Sequence, residues 1–497
     1  MTHKDLEVEK LCGGLAENDR QKLRTFFEEL NKKIEIAPFQ KREMVEDFYK
    51  LVEMYLDEGK SVQEIIDLLN VNHLGDFYLA RKGEWIMLDN AAIIYPLGMR
   101  HGRMPMFRLA ATLKEEVDPR VLQVALYFTI KRFPTFASVV KRGFFWHYLE
   151  TVNHAIKVEE EKDAPCKPIS LLLRSSRSYR VLYYKNRISL EVFHVITDGS
   201  GAFIFLKSLL AEYFRLLGRN ISKTNGVFDI EEAPKDEERF NAFKMAKGES
   251  SMNSFLGASS LQLDGKISLK NPTNIYHFEM DSKELINKAK SNGVTVTAYI
   301  LALMFMASKE AMSNKSGDMN IQVPVNMRKY NYPKTLRNYS MYFSVTRRMD
   351  KEVSKEELME DISKQMKIKG SEEEMTKMMG ITNRLITSLR YVPLIIKQPV
   401  AQMVYGYLGN SIIGNVLSNL GVIEVPKEME EYIESFDAMF LPEAPNKATS
   451  TLVSFKGRTR FTIVKNVIDD RYENKLYELL KEEGLDPKVY GSITYES

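Results

Sequence analysis

The chain has 497 residues, more than one hydrophobic core ordinarily supports, so two core-bearing lobes plus an accessory piece are expected. Its 44% hydrophobic and 28% charged content is that of an ordinary globular protein. A net charge of +3, with no long basic stripe, argues against a nucleic-acid partner.

Residues 1–80 read as a polar helical extension. Leu23, Phe26, Phe27 and Leu30 recur at helical spacing, as do Val45, Phe48, Val52 and Leu56. Ser61-Val62-Gln63-Glu64 has the form of a capping box. No chemistry is visible there, and packing on the main body or on a partner is expected. From Trp85 the pattern changes to alternating strands and helices. Residues 108–113 read as a strand, and Asp118-Pro119 opens a helix that Arg132-Phe133-Pro134 stops. Strands at 180–184 and 188–195 read as a hairpin across Lys185-Asn186-Arg187, and a helix at 202–217 ends on Gly218.

Residues 221–270 are poor in periodic apolar side chains and read as a linker. A second lobe, 271–497, starts with helices at 282–291 and 296–309 and strands at 321–325 and 339–346. A mostly helical stretch, 354–408, follows. Strands near 416–422, 435–441, 449–455 and 460–467 and a helix at 471–483 complete it. The expected class is α+β: an N-terminal lobe, 81–220, and a C-terminal lobe, each a mixed sheet with helices.

The chemistry is concentrated in His194-Val195-Ile196-Thr197-Asp198-Gly199. His194 ends an apolar strand and precedes a turn, which places it at the rim of a sheet. A neutral imidazole there can accept a proton from an alcohol or amine near neutral pH. Asp198 can hold the loop by an ion pair or local hydrogen bond, and Gly199 and Gly201 are read as supplying freedom in a tight turn. A buried core histidine followed by an ordinary Asp-Gly turn would satisfy the same pattern.

The strand–loop–helix setting of this His-x-x-x-Asp-Gly run resembles that of the CoA-dependent acyltransferase superfamily. That superfamily includes chloramphenicol acetyltransferases, BAHD acyltransferases, nonribosomal-peptide condensation domains and wax-ester synthases. Other landmarks follow in the matching order: "VDPRVLQVAL" and "RFPTF" between Arg108 and Pro134, then "VTVTAYILALMFM" from Val294. "VPVNMR" ends at Arg328, Asn338 lies in an "NYS" run, and "VLSNLG" starts at Val416. The resemblance covers about residues 85–490 and looks nearest to bacterial alcohol acetyltransferase-like proteins.

The resemblance implies two chloramphenicol-acetyltransferase-like lobes with a channel between them. It implies His194 as general base for direct attack of an acceptor on an acyl thioester, so no nucleophilic serine or cysteine is needed. Asp198 would pair with Arg328 of the second lobe, and Ser418 and Asn419 are candidate oxyanion donors. A turn-stabilising role for Ser418 and Asn419 is equally open, as is a solvated strand end for Arg328. No permanently bound cofactor is implied. The expected co-substrate is acyl-CoA, acetyl-CoA among the candidates, with a small alcohol or amine acceptor. An acyl carrier protein as thioester donor, in condensation-type N- or O-acylation, is the alternative. A non-catalytic scaffold retaining the fold is a third reading. Two departures stand out: the Asp-Phe-Gly-Trp-Gly motif of the plant enzymes is absent, and Phe193 replaces the first of the paired histidines of wax-ester synthases and many condensation domains.

Cys12 and Cys166, the only cysteines, are far from any motif and are expected to be inert. This usage, with a charged start that lacks an apolar signal core, fits a cytoplasmic location. The apolar stretch 391–408 is broken by Pro393, Lys397, Gln398 and Pro399, so no transmembrane segment is expected. His3, His73, His101, His147, His154 and His277 are scattered without metal-ligand spacing, and no metal is expected. Phe144, Phe145, Trp146 and Tyr148 are read as core or, second, as acceptor-pocket lining. Met375, Met378, Met379 and Met403 are read as core filling or as tunnel lining.

Overall fold

The computed structural model describes residues 9–79, 83–98, 104–169, 177–246, 259–268, 274–331, 334–404, 412–443 and 445–490. The N-terminal helices Glu17–Lys33, Pro38–Asp57 and Val62–Leu68 turn their apolar stripes inward, and Ser61 and Glu64 close the capping box of the third. Phe48 stacks on Tyr127 at 6.3 Å, and the Tyr127 hydroxyl donates to Asp47 at 2.6 Å. The Tyr55 hydroxyl donates to the Leu216 carbonyl at 2.7 Å. The extension thereby shares the core of the first lobe.

The first half supplies β1 (Trp85–Met87), β2 (Met106–Leu113), β3 (Ser138–Arg142), β4 (His147–Thr151), β5 (Glu159–Glu160), β6 (Tyr179–Tyr184) and β7 (Arg187–Phe193). The second half supplies β8 (Asn274–Asp281), β9 (Asp318–Asn326), β10 (Ser340–Arg348), β11 (Asn415–Val422), β12 (Ile433–Phe440), β13 (Ala448–Phe455), β14 (Arg458–Lys465) and β15 (Lys488–Tyr490). β1, β4 and β3 form a small antiparallel sheet.

β6 and β7 form the expected hairpin, and Lys185 takes the left-handed conformation its two-residue turn requires. With β2 they lie in a five-stranded sheet ordered β12-β2-β7-β6-β5. The helices Pro119–Thr129 and Gly199–Leu216 cover it, each opened by an aspartate that caps backbone N–H groups: Asp118 in the first, Asp198 in the second. The larger sheet runs β10-β9-β11-β13-β14-β8-β15, with the buried helix Val296–Glu310 packed on it.

The second half lends one strand to the first sheet. β12, which sequence order assigns to the second lobe, pairs antiparallel with β2 from Ile433–Leu113 to Phe440–Phe107. Arg460 on β14 binds both Asp437 oxygens of β12, at 2.7 and 2.8 Å, so an ion pair joins the two sheets where the crossing occurs. Strand pairing is non-local, so hydropathy along the chain carries no mark of the crossing.

The described part of the interlobe segment is packed rather than loose. Arg132 binds both carboxylate oxygens of Glu238 at 2.5 and 2.6 Å in a buried pair, while the Glu238 carbonyl accepts from Leu336 N–H at 2.8 Å. Removing one partner of such a pair costs about 3–5 kcal/mol, because the other charge is left buried and unpaired. Among the described residues no single helix is long and apolar enough to cross a membrane.

Candidate active site

His194 follows the last residue of β7, and its N–H donates to the Pro105 carbonyl at 3.0 Å, extending the β2–β7 ladder by one bond. The ring lies between two aromatic side chains. Tyr95 stacks against it with centroids 4.7 Å apart, and Phe107 meets it edge-on at 5.0 Å. These contacts restrict the imidazole to one plane.

The ring is also tethered across the lobes. His194 Nδ1 lies 2.8 Å from Asn338 Oδ1. Asn338 Nδ2 donates to Asp89 Oδ2 at 3.3 Å, which orients the carboxamide with its oxygen towards the histidine. Nδ1 therefore carries the proton, and Nε2 is left with its lone pair. Asp89 is fully buried; it accepts from Ala92 N–H at 2.7 Å and faces Arg337 Nε at 3.5 Å. Burial raises the Asp89 carboxyl, opposed mainly by the Arg337 guanidinium, and burial lowers the Arg337 guanidinium in turn. Burial also lowers the pKa of His194, against the pull of the Asp198 charge and the Asn338 hydrogen bond, so the ring is neutral at neutral pH.

Asp198 points away from the imidazole. Its Oδ1 accepts from Gly201 N–H at 3.1 Å, and its Oδ2 accepts from Arg328 Nη1 at 2.7 Å and Tyr339 N–H at 2.8 Å. Arg328 also donates to the carbonyls of Thr335 and Arg337. Thr197 Oγ1 donates to the Leu336 carbonyl at 2.5 Å, and Asn326 donates to Ser200 Oγ at 3.0 Å. The whole histidine loop is thus held by residues 326–339 of the second half.

The glycines act differently from the sequence expectation. Neither Gly199 nor Gly201 has a positive φ, so conformational freedom is not what the turn requires. At Gly201 a Cβ would overlap Thr197 Oγ1 and the Leu336 carbonyl oxygen. At Gly199 it would sit 3.2 Å from Leu420 Cδ2. Close approach of the second lobe is the constraint, and it falls hardest on Gly201.

Ser418 and Asn419 lie on β11, opposite Thr451 and Leu452 of β13. The Asn419 carboxamide is occupied: it donates to Thr297 Oγ1 at 3.0 Å and accepts from Gly421 N–H at 2.9 Å. That engagement favours turn stabilisation over oxyanion binding for Asn419. The strand reaches the histidine loop through Leu420, at Gly199.

Other sequence readings are redistributed. Phe144 and Phe145 stand exposed at the tip of the β3–β4 hairpin, outside the core, while Trp146 is partly buried against the first core beneath Lys397. Met375 and Met379 fill the second core, Met378 packs against it, and the Met403 side chain lies outside the described residues. Cys12 and Cys166 are buried, and burial pushes both thiols up. His3 and His101 also lie outside the described residues, and among the described residues no group of histidine, cysteine or carboxylate side chains could hold a metal. Tyr95, Phe107, Asp89 and Arg337 carried no sequence signal for the site. Asn338 stood out only as a landmark.

The two-lobed arrangement, with a histidine loop from one sheet gripped by the other half, is the fold of acyltransferases and peptide-synthetase condensation domains. Three solved structures illustrate the likeness. The first condensation domain of the calcium-dependent antibiotic synthetase, with a substrate analogue, superposes with a TM-score of 0.55 and 14% identity over 83% of this chain and 100% of that one. The trichothecene 15-O-acetyltransferase of Fusarium sporotrichioides gives 0.55 and 11%, over 81% and 95%. The starter condensation domain of rhizomide synthetase, a mutant in complex with C8-CoA and Leu-SNAC, gives 0.52 and 10%, over 80% and 93%. No protein-family model and no curated protein matches the sequence.

Proposed function

We propose that the protein is an acyltransferase that moves an acyl group from CoA thioester to an alcohol acceptor, with His194 as general base. The observation that carries this reading is the 2.8 Å contact of His194 Nδ1 with Asn338 Oδ1, which leaves Nε2 as the proton acceptor. Nε2 takes the acceptor's hydroxyl proton as its oxygen attacks the thioester carbonyl carbon. The tetrahedral intermediate collapses, the C–S bond breaks, and the imidazolium returns the proton to the departing thiolate. The products are an ester and free CoA, and the protein side chains end as they began. Ser418 is the remaining candidate oxyanion donor, while Asp198, Gly201 and Arg328 position the loop.

The fold likeness to an acetyltransferase, and to a condensation domain holding C8-CoA, supports a CoA donor. The condensation-domain likeness also supports a second reading, acyl transfer from a carrier-bound thioester to an amine or alcohol. Thiol release from acetyl-CoA with a panel of alcohols, comparing wild type with His194→Ala, tests the first reading. Histidine-dependent release is expected. Activity only with carrier-bound acyl groups would replace the first reading by the second. No histidine-dependent turnover of either donor would leave a non-catalytic scaffold.

A further inference from the structure

One outer face carries large apolar side chains with no cover among the described residues. Phe144 is 72% exposed, Tyr391 76% and Ile395 71%, and Phe145, Ile396 and Val400 are exposed beside them. They form one patch: the Phe144 and Phe145 rings lie 4.8 Å apart, Phe145 and Tyr391 6.4 Å apart, and Leu394 N–H donates to the Phe144 carbonyl at 2.8 Å. Single exposed apolar residues are ordinary, but a contiguous group of this kind marks a contact surface.

The helix Leu394–Val404 is inverted relative to a usual surface helix. It buries Leu394 and the stem of Lys397, whose Nζ lies 3.0 Å from the Trp146 ring centroid and donates to the Leu389 carbonyl. Its Ile395, Ile396 and Val400 face outward. The chain segment that forms most of the patch carries charge of one sign. Residues 375–423 contain no aspartate or glutamate, while Arg390 is exposed there and Arg142 is exposed beside Phe144. The nearest carboxylates of the small sheet, Glu84 and Glu150, face Arg239 and Lys141.

We propose that this face docks onto an anionic phospholipid bilayer. Aromatic and aliphatic side chains enter the headgroup–acyl boundary, and the arginines meet the phosphates, the composition of an interfacial rather than a spanning contact. The helix that bears the docked face is linked to the histidine through one other helix. Leu394–Val404 packs against the short helix Ile94–Gly98, whose Tyr95 stacks on His194. A lipophilic substrate leaving the bilayer would meet the site one helix away. The docking itself does not depend on which acyl donor is used.

Both tryptophans of the chain report on this surface. Trp146 lies under Lys397, and Trp85, 71% exposed, packs its ring 5.0 Å from Tyr148 of the same small sheet. With phosphatidylcholine vesicles containing roughly one-third phosphatidylglycerol, co-sedimentation and a blue shift quenched by brominated lipid are expected, with binding several-fold weaker to neutral vesicles. Ile395→Ser/Ile396→Ser and Phe144→Ser/Phe145→Ser should each weaken binding by on the order of tenfold or more, because each removes two inserting side chains. Arg142→Gln/Arg390→Gln should remove the preference for anionic lipid. All three pairs are at exposed positions, and unchanged melting temperatures would verify folding. Absence of binding to either vesicle, or binding undiminished by both serine pairs, would overturn the proposal. So would self-association, or capture of an acyl carrier protein in place of vesicles, that the same substitutions abolish.

Discussion

His194 Nδ1 and Asn338 Oδ1, 144 residues apart in sequence, lie 2.8 Å apart, and that one contact decides which ring nitrogen is free to act as a base. Replacing Asn338 by alanine should lower kcat by up to about hundredfold, the scale for a catalytic group displaced by about 1 Å, with little change in the KM for the acyl donor. Asn338→Asp should instead place a carboxylate beside the ring and raise its pKa. The acidic limb of the pH profile would then move upward, an effect a merely structural role would not produce. Steady-state kinetics from pH 5 to 9 separates the two.

The wild-type profile should itself be displaced. Burial lowers the His194 pKa from its ordinary value of 6.5, so the acidic limb of kcat/KM should have its midpoint below that pH. The sign for stability follows from the same shift. Between the folded and unfolded pKa values the unfolded state binds the extra proton, so stability is retained above 6.5 and falls as pH drops through the folded value. A midpoint above 6.5 would contradict the neutral, partly buried imidazole.

Asp198 should matter more to folding than to proton transfer. Asp198→Ala leaves Arg328 Nη1 and the Tyr339 N–H without their carboxylate and uncaps the Gly199–Leu216 helix. A loss of about 3–5 kcal/mol is expected, because the mostly buried guanidinium keeps its carbonyl partners but loses its counter-charge. Thermal and denaturant unfolding measure it, and a fully stable, fully active Asp198→Ala protein would refute it.

The two glycines should separate cleanly. Gly201→Ala puts a Cβ into Thr197 Oγ1 and the Leu336 carbonyl, where a backbone atom cannot step aside cheaply. Loss of about 2 kcal/mol or more, or failure to fold, is expected. Gly199→Ala meets only a flexible leucine methyl at 3.2 Å and should cost under about 1 kcal/mol. Equal melting temperatures for the two variants would show that the interlobe contact is looser than the geometry indicates.

Much of the framework was legible along the chain because it depends on neighbours. The β6–β7 hairpin, the Asp118 cap and the proline that opens the Pro119–Thr129 helix follow from local propensity and periodicity. The Gly199–Leu216 helix began three residues earlier than its apolar pattern, since Asp198 is its cap and the first-turn glycine carries no hydropathy signal. The Phe144-Phe145 pair misled while Trp146 does pack on the core, because hydrophobicity records what a side chain gains from burial and not which residues of a hairpin tip find a layer to pack on.

The sequence by itself determined a histidine at a strand end followed by a capped helix, and the ordered landmarks that make an acyltransferase-like fold the expectation. Tertiary structure alone decided what surrounds that histidine. Tyr95, Phe107 and the Asp89–Asn338 relay converge on it from three separate segments, and β12 crosses into the first sheet. The reason is physical: periodicity reports contacts made within a few residues, whereas a buried polar network is specified only by the partners that folding brings within hydrogen-bond reach.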